Sequence, residues 1–397
     1  MVAPNLGASF AGGGGSSVAA NVAQAMLETN MDVTLLAFSG YSNETLDMLH
    51  GTGLSSYSKS LSSEYAFKRG FGNRGAQKVA RSEIASLILI GYHYFMSTKI
   101  RRMEPNIVWF NDDVPKFCEK RLEDYHSVQY VNFAFRTRLK VQIDEQWESY
   151  NTNGRLSKTL GDRNPRLIKL LVGDKALGCE VVIANSSVTC KYIRETAKDV
   201  QPLIVYPPVN IECYADAEKE NQVAAIGAFR PNKRFGDIIR ALSLSRRKDL
   251  KLVIVGLSDD DDYFAYLVNL VEKLGMQDRV RLVPNASRRF LNKVLAESRM
   301  ILSAARFEPF GISVVEGMAN GCVPVVYAGE DSGPWVDIIQ RGKYGHGFHD
   351  INDLSEILSS SSNRVEEATV SEFKKRACQF SSLIFRDRIK KLISGRV

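Results

Sequence analysis

The sequence predicts an α/β protein with two Rossmann-like domains, each built on a doubly wound parallel sheet. Three observations carry this expectation. Strand-like apolar runs alternate with helical stretches along the chain, the pattern of helices packed on a parallel sheet. The chain has 397 residues, room for two or three domains of roughly 100–200 residues each. The alternation breaks at VYPPVN (205–210), where two prolines stop regular structure and mark a hinge.

In the first half, MVAPN (1–5) is a very short first strand, so an upstream residue or two is expected. FAGGGGSSVAANVAQAML (10–27) then opens a helix over 17–29. Its glycines Gly12 to Gly15 let the backbone approach a ligand closely. A flexible loop has the same composition, but the place, the first strand-to-helix turn, favours a cradle. Strands follow at 33–38, 106–110, 128–131 and 181–184, with helices at 78–96 and 165–178. IASLILIGYHYFM (84–96) is the longest apolar run. It falls short of the ~20 residues that span a bilayer, so a buried helix is expected, and membrane contact would be peripheral.

In the second half, strands are expected at 222–226, 251–255, 280–283, 300–304 and 323–327, and helices at 234–246, 261–274, 288–297 and 312–320. SDDDD (258–262) has the spacing of a metal site, yet it precedes a helix, where carboxylates favour the positive end of the macrodipole. SSSSN (359–363) is a polar loop.

Hydrophobic residues make up 44% of the chain and charged residues 24%, which excludes bulk disorder. The net charge of +7 suits nucleic acid, anionic lipid or a phosphorylated ligand. The basic residues are scattered in short runs such as Arg246/Arg247/Lys248, which read as solvated helix faces, and aromatic–basic nucleic-acid motifs are missing. The six cysteines form no C-x-x-C pair, so neither a zinc knuckle nor a redox motif is visible, and a reduced, cytoplasmic setting is the simplest reading. The N-terminus shows no basic-then-apolar signal pattern.

The chemistry concentrates in two loops of the second half. In ARFEPFGISVVEGMANG (305–321), MILSA before it is a strand and ISVVEGMAN a helix that Gly321 ends. Ligands of open parallel sheets bind at the carboxyl ends of strands, where this loop lies. The amides of Phe310, Gly311, Ile312 and Ser313 sit at a helix N-terminus, a favoured place for phosphate. A carboxylate does not bind phosphate. Glu308 and Glu316 would therefore accept from hydroxyls on either side of it, Glu308 from a sugar and Glu316 from a ribose. The alternative has Glu316 on an exposed helix face and Glu308 as a helix cap. The second loop, AAIGAFRPNKRFGDIIRAL (224–242), turns at Gly227 and presents Arg230 and Lys233, two cations that would stabilise a diphosphate leaving group. A basic helix cap is the competing reading.

With these pieces in order, the chain resembles the retaining GT-B glycosyltransferases of the family 4 type over nearly its full length. The E-x7-E segment from Glu308 to Glu316 is the most specific mark. VVIANSSVTCKYIRE (181–195) and VYPPVN are similar to that family's end-of-first-domain pattern, and FSSLIFRDRIKKLI (380–393) to its closing helix. GAFRPNK (227–233) and EPFGISVVEGMANG resemble the branch that mannosylates lipid-linked oligosaccharides. The resemblance implies a GT-B fold with a cleft between two domains: an acceptor-binding domain at 1–208, a nucleotide-sugar domain at 209–376, and a helix at 377–397 crossing back to the first. It implies that Glu308 contacts the transferred sugar and Glu316 the ribose. Arg230, Lys233 and the amides around Phe310–Ile312 would hold the diphosphate, and the loop with Gly14 and Gly15 would lie near diphosphate and acceptor.

Two departures stand out. Many relatives place Arg directly after the glycine; here Ala228 follows Gly227, and Arg230 is expected to serve. The family often has Tyr-x-His-x-Pro in the first domain; here YVNFA (130–134) puts Asn132 at the His position, and Asn takes no proton at pH 7. His126 lies six residues upstream and reads more readily as a surface or core residue. Asp112 and Asp113 could hold acceptor hydroxyls or cap a turn.

The implied reaction moves a hexosyl group, mannose or glucose, from a nucleoside-diphosphate sugar to a glycan or polyprenyl-linked hydroxyl, with no metal or other cofactor. RNPRLIKLLVGDKALG (163–178) and the basic charge fit peripheral contact with an anionic membrane. A sugar-nucleotide epimerase on the same fold, and a non-catalytic sugar-nucleotide-binding protein suggested by Asn132, are the other readings.

Overall fold

The computed structural model describes residues 14–39, 42–67, 84–111, 124–132, 178–211, 217–258, 261–360 and 367–395. The described residues up to Pro208, with the last helix, form one compact unit, and Val209–Ser381 form another. Gly12 and Gly13, Asp112 and Asp113, and the helix expected at 165–178 lie outside the described residues.

In the first unit, α1 (Gly14–Leu27) precedes β1 (Val33–Ser39), α2 (Asn43–His50) and β2 (Leu61–Phe67), which pairs parallel with β1. After α3 (Ile84–Met103), strands β3 (Ile107–Asn111), β4 (His126–Val131), β5 (Val181–Ala184) and β6 (Leu203–Ile204) pair in that order, all parallel, with α4 (Ser187–Thr196) between β5 and β6. The near-continuous burial of β3 and β4 is that of strands covered on both faces. Side chains fix where helices begin: Ser42 accepts from the Thr45 amide to start α2, and Ser186 from the Thr189 amide to start α4. β2, α2 and β6 were not expected from the sequence. LSSEYAF carries polar residues inside the strand, and β6 is two exposed residues, so neither shows a strong apolar run.

The second unit holds β7 (Gln222–Ile226), α5 (Phe235–Leu244), β8 (Lys251–Gly256), α6 (Asp261–Lys273), β9 (Val280–Pro284), α7 (Arg288–Glu297), β10 (Met300–Ser303), α8 (Ile312–Ala319), β11 (Val323–Tyr327), β12 (His346–Phe348), α9 (Ile351–Ser360) and α10 (Glu367–Cys378). Its sheet runs β12-β11-β10-β7-β8-β9, and every neighbouring pair is parallel. The chain thus builds outward from β7 in one direction, then returns to β7's other edge with β10. Dinucleotide-binding folds share this order and bind ligands at the point where it reverses. Helix α8 sits so close to β10 that a Cβ on Gly317 would lie 2.5 Å from the Ile301 side chain. Asp261 and Asp262 fall in the first turn of α6, the helix-terminus placement. Among the described residues no three His, Cys, Asp or Glu side chains gather as metal ligands would.

The last helix, α11 (Ser382–Ile393), belongs to the first unit and packs on α1. Small residues on α1, among them Ala19, Ala20 and Ala23, are fully buried and permit close approach. Arg386 of α11 donates to Asn21 Oδ1 at 2.8 Å, and Phe385 meets Tyr130 edge-on at 6.0 Å. Cys179, Cys190 and Cys322 are buried free thiols, and burial pushes Cys322 up to about 11.

Candidate functional site at the switch point of the second sheet

Because β7 and β10 are neighbours, the loops leaving their carboxyl ends meet. The first loop begins at Gly227. A Cβ on Gly256, at the end of β8, would stand 1.6 Å from the Gly227 carbonyl oxygen, so only glycine allows this approach. Phe229 anchors the loop in the core, edge-on to Phe235 at 5.7 Å and Phe264 at 5.0 Å. Pro231–Lys233 then form a single 3-10 turn. The Lys233 stem lies over Gly227, whose added Cβ would be 3.4 Å from Lys233 Cδ and Cε. Its ammonium reaches the second loop and donates to Glu308 Oε2. Arg230 is exposed at the start of the turn.

The second loop is strapped to the segment after β11. The Glu308 amide donates to Asp331 O at 3.3 Å, and Glu308 O accepts from the Gly333 amide at 2.7 Å. A side chain on Gly333 would sit 2.1 Å from the Pro309 carbonyl oxygen. Phe310 is buried and meets Phe380 edge-on at 5.4 Å. Gly311, at φ 97°, is the N-cap of α8 and makes no side-chain capping bond. The first N–H groups of a helix have no acceptor within it, so the amides at Gly311, Ile312 and Ser313 are the positive end of the α8 dipole. Gly321, at φ 76°, follows the helix as a C′ glycine does.

Glu316 lies just over one turn into α8 and is 7% exposed. Arg288, the first residue of α7, donates from Nη2 to Glu316 Oε1 at 2.6 Å. Burial pushes the Glu316 carboxyl above its ordinary value of 4.5, and the Arg288 charge and hydrogen bond pull against that rise. The alternative readings of these two acids do not hold. Glu316 is buried rather than on a solvated face, and the cap of α8 is Gly311 rather than Glu308.

The structure therefore brings Gly227, Lys233 and Glu308 together, with Phe310, Gly311 and Ile312 immediately after. In the first unit, Gly14 and Gly15 open α1, and Gly15 O accepts from Asn111 Nδ2 at 2.9 Å. Asn132 immediately follows β4, its carbonyl accepting from Thr189 Oγ1 at 3.4 Å. His126 stands at the opposite end of β4, exposed and paired with Glu180 at 3.0 Å, so it is a surface residue. Arg288 was not expected from the sequence. Its signal was position: it follows β9 at the same carboxyl edge that Gly227 and Glu308 occupy.

A doubly wound sheet with a cation, two acids and the start of a helix at its switch point is the arrangement at which nucleotide-binding domains of this architecture hold their ligands. Residues 209–367 match the family model described as glycosyl transferases group 1. The GDP-Man:Man(3)GlcNAc(2)-PP-Dol alpha-1,2-mannosyltransferase of Dictyostelium discoideum is 30% identical over 201 residues, covering 45% of this chain and 39% of the relative. The enzyme of the same name from Candida glabrata is 34% identical over 180 residues, covering 40% and 35%. These matches span well under half the length of the relatives. Among solved structures, Anabaena HepE in complex with UDP matches with TM-score 0.67 at 14% identity, covering 98% of both chains. Sucrose-phosphate synthase from Thermosynechococcus elongatus matches with TM-score 0.67 at 14% identity, covering 94% of this chain and 91% of that one. The fold is GT-B.

Proposed function

We propose that this chain is a retaining glycosyltransferase of the family 4 type that moves mannose from GDP-mannose to a hydroxyl of a lipid-linked glycan. The observation that carries the reading is the meeting of Lys233 and Glu308 at the switch point, beside the uncapped start of α8. A diphosphate next to Gly311 would receive the α8 amides and the Lys233 ammonium, with Arg230 in the exposed loop as a second cation. Glu308 would then turn to the hydroxyls of the sugar, and Glu316 would accept from the ribose. The named activity of the sequence relatives favours mannose and guanosine over glucose and uridine.

Retention through a covalent intermediate needs a carboxylate nucleophile close to the anomeric carbon. Glu308 is engaged by Lys233, and residues 227–234 and 304–311 of the two loops include no other acid. The front-face path fits better. The sugar–phosphate bond breaks, the acceptor oxygen bonds to the anomeric carbon on the same face, and the departing phosphate oxygen takes the acceptor's proton. Cations and amides stabilise the charge gathering on the diphosphate. The first unit would serve the acceptor through Asp112 and Asp113, with Gly14 and Gly15 near the diphosphate and the acceptor and Asn132 near the transferred sugar. Among the described residues no helix is long and apolar enough to cross a membrane. Peripheral binding at an anionic cytosolic surface would bring the enzyme to a polyprenyl-linked acceptor.

Incubation with GDP-[14C]mannose and a dolichol-diphosphate glycan acceptor tests the reading. Transfer of label into the lipid phase is expected. Isomer exchange in the nucleotide sugar would favour an epimerase, and binding without turnover a sensor.

A further inference from the structure

Arg288 stands outside the set that the proposed reaction uses, yet its guanidinium donates to the buried Glu316 carboxylate. Three features set this pair apart. The two residues come from helices that follow different strands, α7 after β9 and α8 after β10. The contact engages a single oxygen, Oε1, through a single nitrogen, Nη2, where an Arg–carboxylate pair commonly forms two parallel bonds. Arg288 Nε is buried and has no hydrogen-bond partner, and buried donors are nearly always satisfied. A guanidinium bound at one corner with a buried donor unused fits a place awaiting another acceptor.

We propose that Arg288 is the positioning residue of the nucleotide subsite: it holds Glu316 Oε1 and so presents Oε2 to the ribose hydroxyls, making the site selective for ribonucleotides over 2′-deoxyribonucleotides. This rests on the reading of Glu316 as the ribose contact. The chemistry is simple. A carboxylate accepting from one or two ribose hydroxyls must stay fixed in orientation, and α8 alone leaves the Glu316 side chain free to rotate about its χ angles. The guanidinium removes that freedom, and its spare N–H groups can donate to a ribose oxygen that the carboxylate cannot serve. A hydroxyl bound by an ionised group is also one whose loss is costly, because the buried partner is then left unmatched.

The test measures binding of GDP and 2′-deoxy-GDP to the full chain by calorimetry, with UDP and 2′-deoxy-UDP in parallel. The proteins are wild type, Arg288→Gln and Arg288→Lys. Wild type is expected to prefer the ribonucleotide by about tenfold or more, the size of a hydrogen bond to a charged group. Arg288→Gln should weaken ribonucleotide binding and bring the two affinities within about twofold. Arg288→Lys, which keeps the charge without the planar fork, should restore part of the preference. A merely structural Arg288 would leave the ribose preference at its wild-type ratio in the Gln variant, and that result overturns the inference. Should circular dichroism show Arg288→Gln unfolded, the Lys variant decides: unchanged affinity and unchanged preference refute the role. If wild type binds nucleoside diphosphate without preferring ribose, the Glu316 assignment falls and the inference with it. If wild type binds no nucleoside diphosphate at all, the proposed function itself is wrong.

Discussion

Lys233 Nζ and Glu308 Oε2 form an ion pair between residues 75 apart in sequence, one on the loop after β7 and one on the loop after β10. Neither charge is solvated freely: the side chains are 26% and 16% exposed. A bound diphosphate would compete with Glu308 for the ammonium, so donor binding would release the carboxylate to the sugar as it recruits the lysine. Removing Lys233 then costs most where the leaving group gathers charge. Lys233→Ala is expected to lower kcat with GDP-mannose by about 10²–10³-fold, the scale for losing one transition-state donor, with a smaller change in KM. Steady-state kinetics separate the two; a change confined to KM would mean that Lys233 contributes only ground-state binding.

The pH dependence should reveal Glu316. Its carboxyl sits above the ordinary 4.5 because burial disfavours the charge, with Arg288 opposing. The raised value means that the folded protein takes up the proton before the unfolded chain does. This group's contribution to stability is therefore full at low pH and lost as pH rises through the raised value. On the proposed role of Glu316, nucleotide binding would run the other way, since it would need the carboxylate as an acceptor. Nucleoside diphosphate affinity should weaken on acidification at a pH above the usual carboxylate range, and Glu316→Gln should abolish that limb. Calorimetric titrations across the acid range check this, and a limb that survives in Glu316→Gln belongs to another group.

Much of the second unit was legible because its strands are apolar runs and its turns carry glycine and proline. Lys233 and Glu308 could be named because the reversal rule for open sheets says which edge binds, though not which loops touch. Arg288 was hidden because a lone Arg opening a helix looks like any solvated basic residue. Only the strand order brings it to Glu316. In the first unit β2 escaped notice because the consecutive Ser62, Ser63 and Glu64 of LSSEYAF break both an apolar run and an alternating one, and β12, three residues long, is too short for any periodicity to register.

Gly311 is held to glycine twice over. Its φ of 97° is unfavourable to any Cβ, and a Cβ there would stand 2.6 Å from Pro334 Cγ. Gly311→Ala should destabilise the protein by about 1–3 kcal/mol through backbone strain and overpacking. It should also displace the amides at the start of α8 and weaken nucleoside diphosphate binding. Hydrogen exchange at the β10 amides and calorimetric titration with GDP distinguish these: the variant should lose protection there and bind the nucleotide more weakly.

The last helix gives an internal control, because α11 carries buried and exposed apolar residues side by side. Ile389 is fully buried in the core that includes α1, Trp109 and Tyr130, whereas Leu383 is 71% exposed. Truncating Ile389 to Ala removes buried methyl groups and leaves a cavity, so a loss of about 2–5 kcal/mol is expected. Leu383→Ala should stay within about 0.5 kcal/mol, as surface changes do. With two compact units, a single global melting curve is not a clean measure. Hydrogen exchange at the β3 and β4 amides reports the first unit directly. Those amides should lose protection in Ile389→Ala and keep it in Leu383→Ala, while the β7 and β10 amides report whether the second unit responds. Equal protection at β3 and β4 in both variants would mean that α11 contributes little to the stability of that sheet, despite its buried Phe385, Arg386 and Ile389.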